Sequence, residues 1–142
     1  MSSTSASSSE KRFAIITLQF ALKASKSFST LLPKKVSSAK VSMGKAELNP
    51  AKIPVSISGD RIINHSAEIG GKEYNITCCA VGNPHCVVFV DNVDKINIES
   101  IGPQFETAPI FPERVNTEFV RVVNSKTLKM RVWERGNGET QA

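Results

Sequence analysis

The sequence predicts a strand-rich domain that contains one short helix, and three observations support this prediction. Apolar and polar residues alternate in several short runs, most clearly over residues 128–133, and such alternation is typical of half-buried strands. A glycine pair at residues 70–71 separates two of these runs and indicates a tight hairpin. Residues 91–94 form a helix-capping sequence followed by apolar residues at helical spacing, which predicts a short helix through about Phe105.

The predicted elements follow one another along the chain with short polar connections. Gly102 and Pro103 are expected to end or kink the helix, because proline cannot donate a backbone hydrogen bond. Alternation along the last strand places Glu134 at the end of an apolar face, where a carboxylate needs a partner. Strands are predicted for residues 41–43, 53–57, 74–81, 86–90, 115–123 and 128–133, with a loop at 82–85 and a turn at 124–127.

Residues 1–35 are expected to lie outside this domain, which we place at residues 36–142. Residues 1–9 are almost entirely Ser, Thr and Ala, so they bury too little apolar surface to become ordered, and we expect disorder. The apolar run 13–22 is too short to cross a bilayer as a helix, so no membrane partner is predicted. It is interpreted either as a degraded strand or as part of a targeting segment for a plastid or another organelle.

The net charge of +5 is concentrated near the amino terminus. Residues 1–50 hold 8 of the 18 Lys and Arg residues and 2 of the 13 Asp and Glu residues, which leaves 10 basic against 11 acidic residues afterwards. The part of the chain that carries the polar motifs is therefore close to neutral. A basic face for nucleic acid is not supported there, and no nucleic-acid partner is predicted.

The three cysteines, Cys78, Cys79 and Cys86, do not have the pattern of a disulfide framework, because their number is odd and two are adjacent. They also lack a C-x-x-C spacing, so no metal site is predicted, although His85 lies beside Cys86. Buried, reduced thiols in a cytosol-like compartment are the favoured interpretation, and this predicts a cytoplasmic location.

Three polar strings stand where apolar alternation breaks off, and sites are commonly built on such loops. They are Gly82-Asn-Pro-His-Cys86, Pro112-Glu-Arg-Val-Asn-Thr-Glu-Phe119 and Trp133-Glu-Arg-Gly-Asn-Gly-Glu-Thr140. In this order, and with the segment 93–103 between the first two, they closely resemble the diaminopimelate epimerase family. The resemblance extends from about Val36 to the end of the chain.

This resemblance implies an α+β fold of two pseudo-symmetric domains, each a sheet curled around a central helix. Residues 36–142 would be an incomplete second domain. The family interconverts LL- and meso-diaminopimelate in lysine biosynthesis, without a metal or an organic cofactor. By family, the expected activity is therefore that of an isomerase, and the expected partner is the small molecule diaminopimelate.

The resemblance also assigns roles to five residues. By position, His85 and Glu134 match the catalytic residues that support the two acid/base cysteines of the family. Asn83, Asn116, Glu134 and Arg135 match its substrate contacts. Arg135 would grip a substrate carboxylate in bidentate fashion, the two asparagines would hydrogen-bond the amino acid moiety, and Glu134 would meet the ammonium group.

Each role has a simpler structural alternative. His85 follows a proline and is equally interpretable as a loop histidine bonded to backbone. Asn116 is open to interpretation as a residue that merely begins a strand. Glu134 and Arg135 have the sequence of a surface ion pair, and Cys86 is expected to be a core residue rather than a catalytic one.

The chain departs from the family at its carboxyl end. After Ala142 the family continues with Cys-Gly-Thr-Gly, whose cysteine is one of the acid/base pair, and the other cysteine belongs to the first domain. Both catalytic cysteines and the central helix are therefore expected to be missing, which would leave an inactive fragment with an exposed apolar sheet face. The alternative is a non-catalytic remnant or interaction module, either a homodimer or associated with a complementary half.

Overall fold

Within residues 45–141, short alternating runs and tight turns build one sheet with a single α-helix against it. The computed structural model describes residues 45–141 of the chain, and the predicted segment 1–35, the domain start at Val36 and the strand at 41–43 lie outside them. The sheet consists of β1 (His65–Ile69), β2 (Lys72–Ala80), β3 (Pro84–Phe89), β4 (Asn116–Asn124), β5 (Thr127–Glu134) and β6 (Gly138–Thr140). Helix α1 spans Ile98–Glu106, and 3-10 helices span Pro50–Lys52 and Val93–Lys95. The strand-rich α+β class is confirmed.

The six strands lie in the sheet in their chain order, and all neighbours are antiparallel except β3 and β4. Two parallel neighbouring strands need a crossover connection. Residues 90–115, which include α1, form this connection. Because β3 and β4 point the same way, their amino ends meet at one edge of the sheet. The carboxyl end of antiparallel β5 reaches the same edge.

The predicted hairpins are present. Gly70 and Gly71 both adopt positive φ angles, 60° and 77°, as a two-residue turn between twisted antiparallel strands requires. Asn124 accepts a hydrogen bond from the amide of Lys126 in the β4–β5 turn. The four predicted strands between residues 74 and 133 correspond to β2, β3, β4 and β5, with ends that differ by one or two residues.

The predicted strand over residues 53–57 is wrong. Apolar and polar residues alternate here because buried and exposed positions alternate, as with buried Ile53 and exposed Ser56, and not because the segment is a strand. Pro54 has no N–H to give to a ladder, and the amides around it bond elsewhere. Val55 donates to the carbonyl of Ile53, and Ser56 donates to the carbonyl of Ile110.

The predicted helix exists and ends at Glu106, one residue beyond the predicted end at about Phe105, but its predicted start is wrong. Asn92 caps only the short 3-10 helix, whereas Asn97 caps α1 by accepting from the amide of Ser100 at 3.3 Å. The helix continues through Pro103 to Glu106. A proline costs one intrahelical hydrogen bond, and α1 ends within a turn of it.

The two faces of the sheet are both buried. The face towards α1, called the helix face, carries Cys78, Cys86, Phe119 and Trp133, which pack in one apolar cluster with Phe105 of the helix. Alternation places Cys79, His85, Asn116, Glu118 and Glu134 on the opposite face, called the site face.

The expected exposed apolar surface is present only in part on the site face, where Val122 is 37% exposed. Val87 and Val120 are fully buried there, Val132 is 2% exposed, and Leu128 and Met130 are half-buried. Within residues 45–141, no helix has the length and apolar character needed to cross a membrane.

Candidate functional site

Strand pairing brings four of the five predicted site residues to one edge of the sheet. His85 of β3 is in register with Asn116, the first residue of the parallel strand β4. On the other side of β4, Thr117 pairs with Trp133, so Glu134 lies one residue beyond that pair, next to Asn116. Arg135 follows directly in the turn from β5 to β6. A row of polar side chains from three strands results.

His85 is held by two side chains. Its Nδ1 lies 2.8 Å from Oε1 of Glu118, and its Nε2 lies 2.8 Å from Oδ1 of Asn83. The ring is only 4% exposed and belongs to β3. The alternative of a loop histidine bonded to backbone is therefore wrong. The contact between Nδ1 and the Glu118 carboxylate fixes the orientation of the ring.

Sequence reasoning missed Glu118, which is fully buried beside His85. Its signal was the two-residue spacing from Asn116, because residues two apart on a strand share a face. A carboxylate on a buried face, close to a predicted catalytic histidine, belongs in the candidate site.

Asn116 links the amino end of β4 to the turn between β5 and β6. Its Oδ1 accepts a hydrogen bond from the backbone amide of Arg135 at 3.0 Å. Because the oxygen is engaged, the NH₂ group of this amide is the part that can donate to a ligand. The Arg135 guanidinium donates from Nη1 to the carbonyl of Glu113 at 2.9 Å, which orients the side chain.

Glu134 has the partner that its position on the sheet requires. Its Oε1 accepts from Oγ1 of Thr140 at 2.9 Å, across the short β5–β6 hairpin. The backbone of Glu134 pairs with Gly138, and its carbonyl accepts from the amide of Asn137. The carboxylate is half-buried and held by the hairpin itself.

A second buried carboxylate, Glu106 at the end of α1, contacts the same turn. It accepts hydrogen bonds from Nε1 of Trp133, from the amide of Gly136 and from Nη1 of Arg114. The Trp133 hydrogen bond, followed by those of Gly136 and Arg114, lowers the pKa of Glu106 and outweighs the opposite effect of burial. No sequence pattern pointed to Glu106, since its partners are eight to thirty residues away.

Neither Cys79 nor Cys86 provides an ionised thiol at this site. Cys79 is the register partner of His85, but burial and then the charge of Glu118 raise its pKa to about 12. Burial, followed by a hydrogen bond with Cys78, raises the pKa of Cys86 well above its ordinary value. All three thiols are free and buried, as expected for reduced core cysteines.

Other kinds of site receive no support from the described residues. Residues 45–141 contain no group of three or more His, Cys, Asp or Glu side chains placed to hold a metal ion. A cavity of about 380 Å³ opens on the helix side, between β2, β4 and the first turns of α1, with Tyr74, Asn97 and Phe119 in its wall. None of the five predicted site residues lines this cavity.

The sheet, the crossover helix and the row of polar residues define a strand-rich α+β domain with a candidate site at the amino ends of β3 and β4. Residues 77–142 match the family model described as diaminopimelate epimerase. The matched residues therefore fit a partial diaminopimelate epimerase domain, and the predicted resemblance is confirmed.

Curated relatives support the same assignment, and those compared here are all named diaminopimelate epimerase. The protein from Trichodesmium erythraeum is 47% identical over 104 residues, which are 72% of this chain and 37% of the relative. The one from Acetivibrio thermocellus is 52% identical over 103 residues, again 72% and 37%. The one from Desulfovibrio desulfuricans is 47% identical over 114 residues, 76% and 40%. The chain thus spans about two fifths of the length of these relatives.

Proposed function

We propose that this chain carries the substrate-binding half of a diaminopimelate epimerase site, which interconverts LL- and meso-diaminopimelate in lysine biosynthesis. The supporting observation is the convergence of Asn83, His85, Asn116, Glu134 and Arg135 at one edge of the sheet. These are the positions that the motifs predicted, and the family similarity includes all of them. Their donors and acceptors suit the carboxylate and ammonium groups of an amino acid.

These residues have defined parts in the proposed site, where Asn83 hydrogen-bonds the amino acid moiety. Arg135 and the NH₂ group of Asn116 bind the substrate carboxylate, and both are already oriented by hydrogen bonds. Glu134, held by Thr140, meets the ammonium group. When the α-proton leaves, negative charge develops on the carboxylate, and donors fixed in advance stabilise that charge.

Inversion of the α-carbon also needs one group that removes a proton and another that delivers a proton to the opposite face. His85 and Glu134 are assigned the role of supporting the acid/base pair. Hydrogen bonds with Glu118 and Thr140 hold their side chains in place. Cys79, with a pKa of about 12, is not suited to be the base. The proposal therefore assigns the acid/base pair to groups outside the described residues, such as those of a complementary half.

We place this activity in the cytoplasm, with a plastid as the alternative. The buried, free thiols suit a reducing compartment.

The proposal is tested by titrating the 142-residue chain with diaminopimelate and following amide chemical shifts by NMR. We expect binding in the range of about 1 mM or weaker, because half of a cleft leaves the substrate charges solvated. Arg135→Ala should weaken it at least about tenfold, the effect of losing a charge-assisted pair. Arg121→Ala, which removes an exposed arginine at the far end of β4, is the matched control.

A second measurement addresses catalysis. The purified chain alone should incorporate no solvent deuterium at the α-carbon of diaminopimelate, because the described site has no suitable thiolate. Exchange that is lost in Glu134→Gln or His85→Asn would contradict the assigned supporting roles. Binding that does not depend on Arg135 would contradict the proposed substrate site.

A further inference from the structure

Glu106 is a buried, charged residue that none of the roles above uses. Glu106 is the last residue of α1, and the residue is 7% exposed. A carboxylate that is largely removed from water destabilises the fold unless several donors compensate for its lost hydration. The identity of those donors shows what this residue organises.

The two carboxylate oxygens accept three hydrogen bonds from three separate segments. Oε2 accepts from Nε1 of Trp133 in β5 at 2.7 Å. Oε1 accepts from the backbone amide of Gly136 at 2.9 Å, in the β5–β6 turn, and from Nη1 of Arg114 at 3.2 Å, just before β4. Glu106 thus links the crossover helix to both segments that carry the substrate donors.

The contact with Gly136 bears directly on Arg135. The amide of Arg135 donates to Asn116, and the next amide along the chain, that of Gly136, donates to Glu106. Two consecutive amides of one turn are therefore held by side chains from different elements. Gly136 has a φ angle of 79°, a left-handed conformation that favours glycine at this point of the turn.

Gly102 makes this arrangement sterically feasible. A Cβ atom at Gly102 would lie 2.2 Å from Cδ2 of Trp133, so only glycine lets the indole lie against the helix at this point. Gly102 and Glu106 are four residues apart and share a helix face. The close approach of the indole to Gly102 brings its N–H within reach of the Glu106 carboxylate.

From these contacts we infer that Glu106 is a positioning residue, which sets the conformation of the Arg135–Gly136 turn and so the direction in which Arg135 meets its ligand. The part that concerns a ligand rests on the proposed function. The part that concerns the turn is independent of it. The lowered pKa of Glu106, caused first by the Trp133 hydrogen bond, is consistent with a carboxylate at neutral pH.

The test compares Glu106→Gln with Glu68→Gln, an exposed carboxylate in β1, in the full chain by ¹⁵N NMR. Trp133 is the only tryptophan, so the chain has a single indole N–H signal. Glu106→Gln should move this signal and accelerate hydrogen exchange of the Gly136 amide at least about tenfold, as expected for losing a charged acceptor. Diaminopimelate binding should weaken by a similar factor. Glu68→Gln should leave all three unchanged.

Unchanged Gly136 exchange and unchanged Trp133 indole signal in Glu106→Gln would overturn the inference. If wild type does not bind diaminopimelate, the proposed function fails, while Gly136 exchange still decides the role of Glu106. Should Glu106→Gln not fold, wild type is titrated with acid instead. The Trp133 indole and Gly136 amide must then shift together with one apparent pKa before unfolding, and independent titration would overturn the inference.

Discussion

The two faces of the sheet differ in the kind of side chain that they bury. The helix face is an apolar cluster in which Phe105 makes edge-to-face contacts with Tyr74 and Phe119, at centroid distances of 5.0 and 5.4 Å. The site face places the His85–Glu118 pair beside fully buried valines. Burying polar side chains costs free energy that hydrogen bonds between them must offset, whereas apolar residues of similar volume carry no such cost. The polar face is therefore explained by function better than by stability.

The largest effect is expected on the helix face. Phe105→Ala removes a fully buried ring between two aromatic partners, so it should lower the free energy of unfolding by about 3–5 kcal/mol. Urea denaturation followed by circular dichroism measures this change. Val123→Ala is the control, because Val123 is 50% exposed and should change stability by no more than about 0.5 kcal/mol. A loss below about 1 kcal/mol for Phe105→Ala would show that this face does not dominate stability.

The next effect concerns the buried polar pair of the site face. A double-mutant cycle with His85→Asn and Glu118→Gln should give a coupling energy of about 1.5–3 kcal/mol, the range for hydrogen bonds to charged groups. The cycle measures this pair alone, whatever other contacts each residue has. A coupling near zero would mean that the two side chains are neighbours without energetic linkage.

The contribution of Glu106 should depend on pH. Its pKa is lowered on folding, so its stabilising effect is fully present above its unfolded pKa of about 4.5 and is lost as the pH falls through the lower folded value. Wild type should exceed Glu106→Gln in stability by about 1.5 kcal/mol at neutral pH. Urea titrations from pH 7 down to about 3 should show this difference shrinking. A difference that grows on acidification contradicts the assigned sign.

The smallest effect should come from an exposed ion pair. Lys129 and Asp94 approach to 2.6 Å, but their side chains are 52% and 58% exposed. A double-mutant cycle with both residues changed to alanine should give a coupling of about 0.2–1 kcal/mol, which added salt reduces further. If this coupling energy equals that of His85 and Glu118, burial does not determine the strength of the interaction within a pair.

Local patterns in the sequence predicted the hairpins and four of the strands, because alternation and turn glycines are short-range signals. They failed over residues 53–57, where apolar alternation accompanies a proline and bonds to a distant carbonyl. They also assigned the helix cap to residues 91–94 instead of Asn97, since several Asn and Asp residues there compete for this role.

The candidate site likewise contains residues that the sequence predicted and residues that it did not. The motifs predicted Asn83, His85, Asn116, Glu134 and Arg135, and strand pairing and hydrogen bonds bring these positions together. Glu106 and Glu118 escaped prediction because their partners are defined by register and by helix packing. The bond from His85 to Glu118 joins residues 33 positions apart, and neither residue identifies the other in the sequence.

The parallel pairing of β3 with β4 has a consequence for the order in which the molecule forms. Within the described sheet, every other neighbouring pair is joined by a short connection, whereas this pair must close a loop that includes α1. Local hairpins form fast, and a long loop must lose its entropy before distant contacts compensate. The units β1–β3 and β4–β6 should therefore form first and join late. Since His85, Asn116 and Glu118 lie along this junction, the candidate site should be among the last parts of the chain to gain protection during folding.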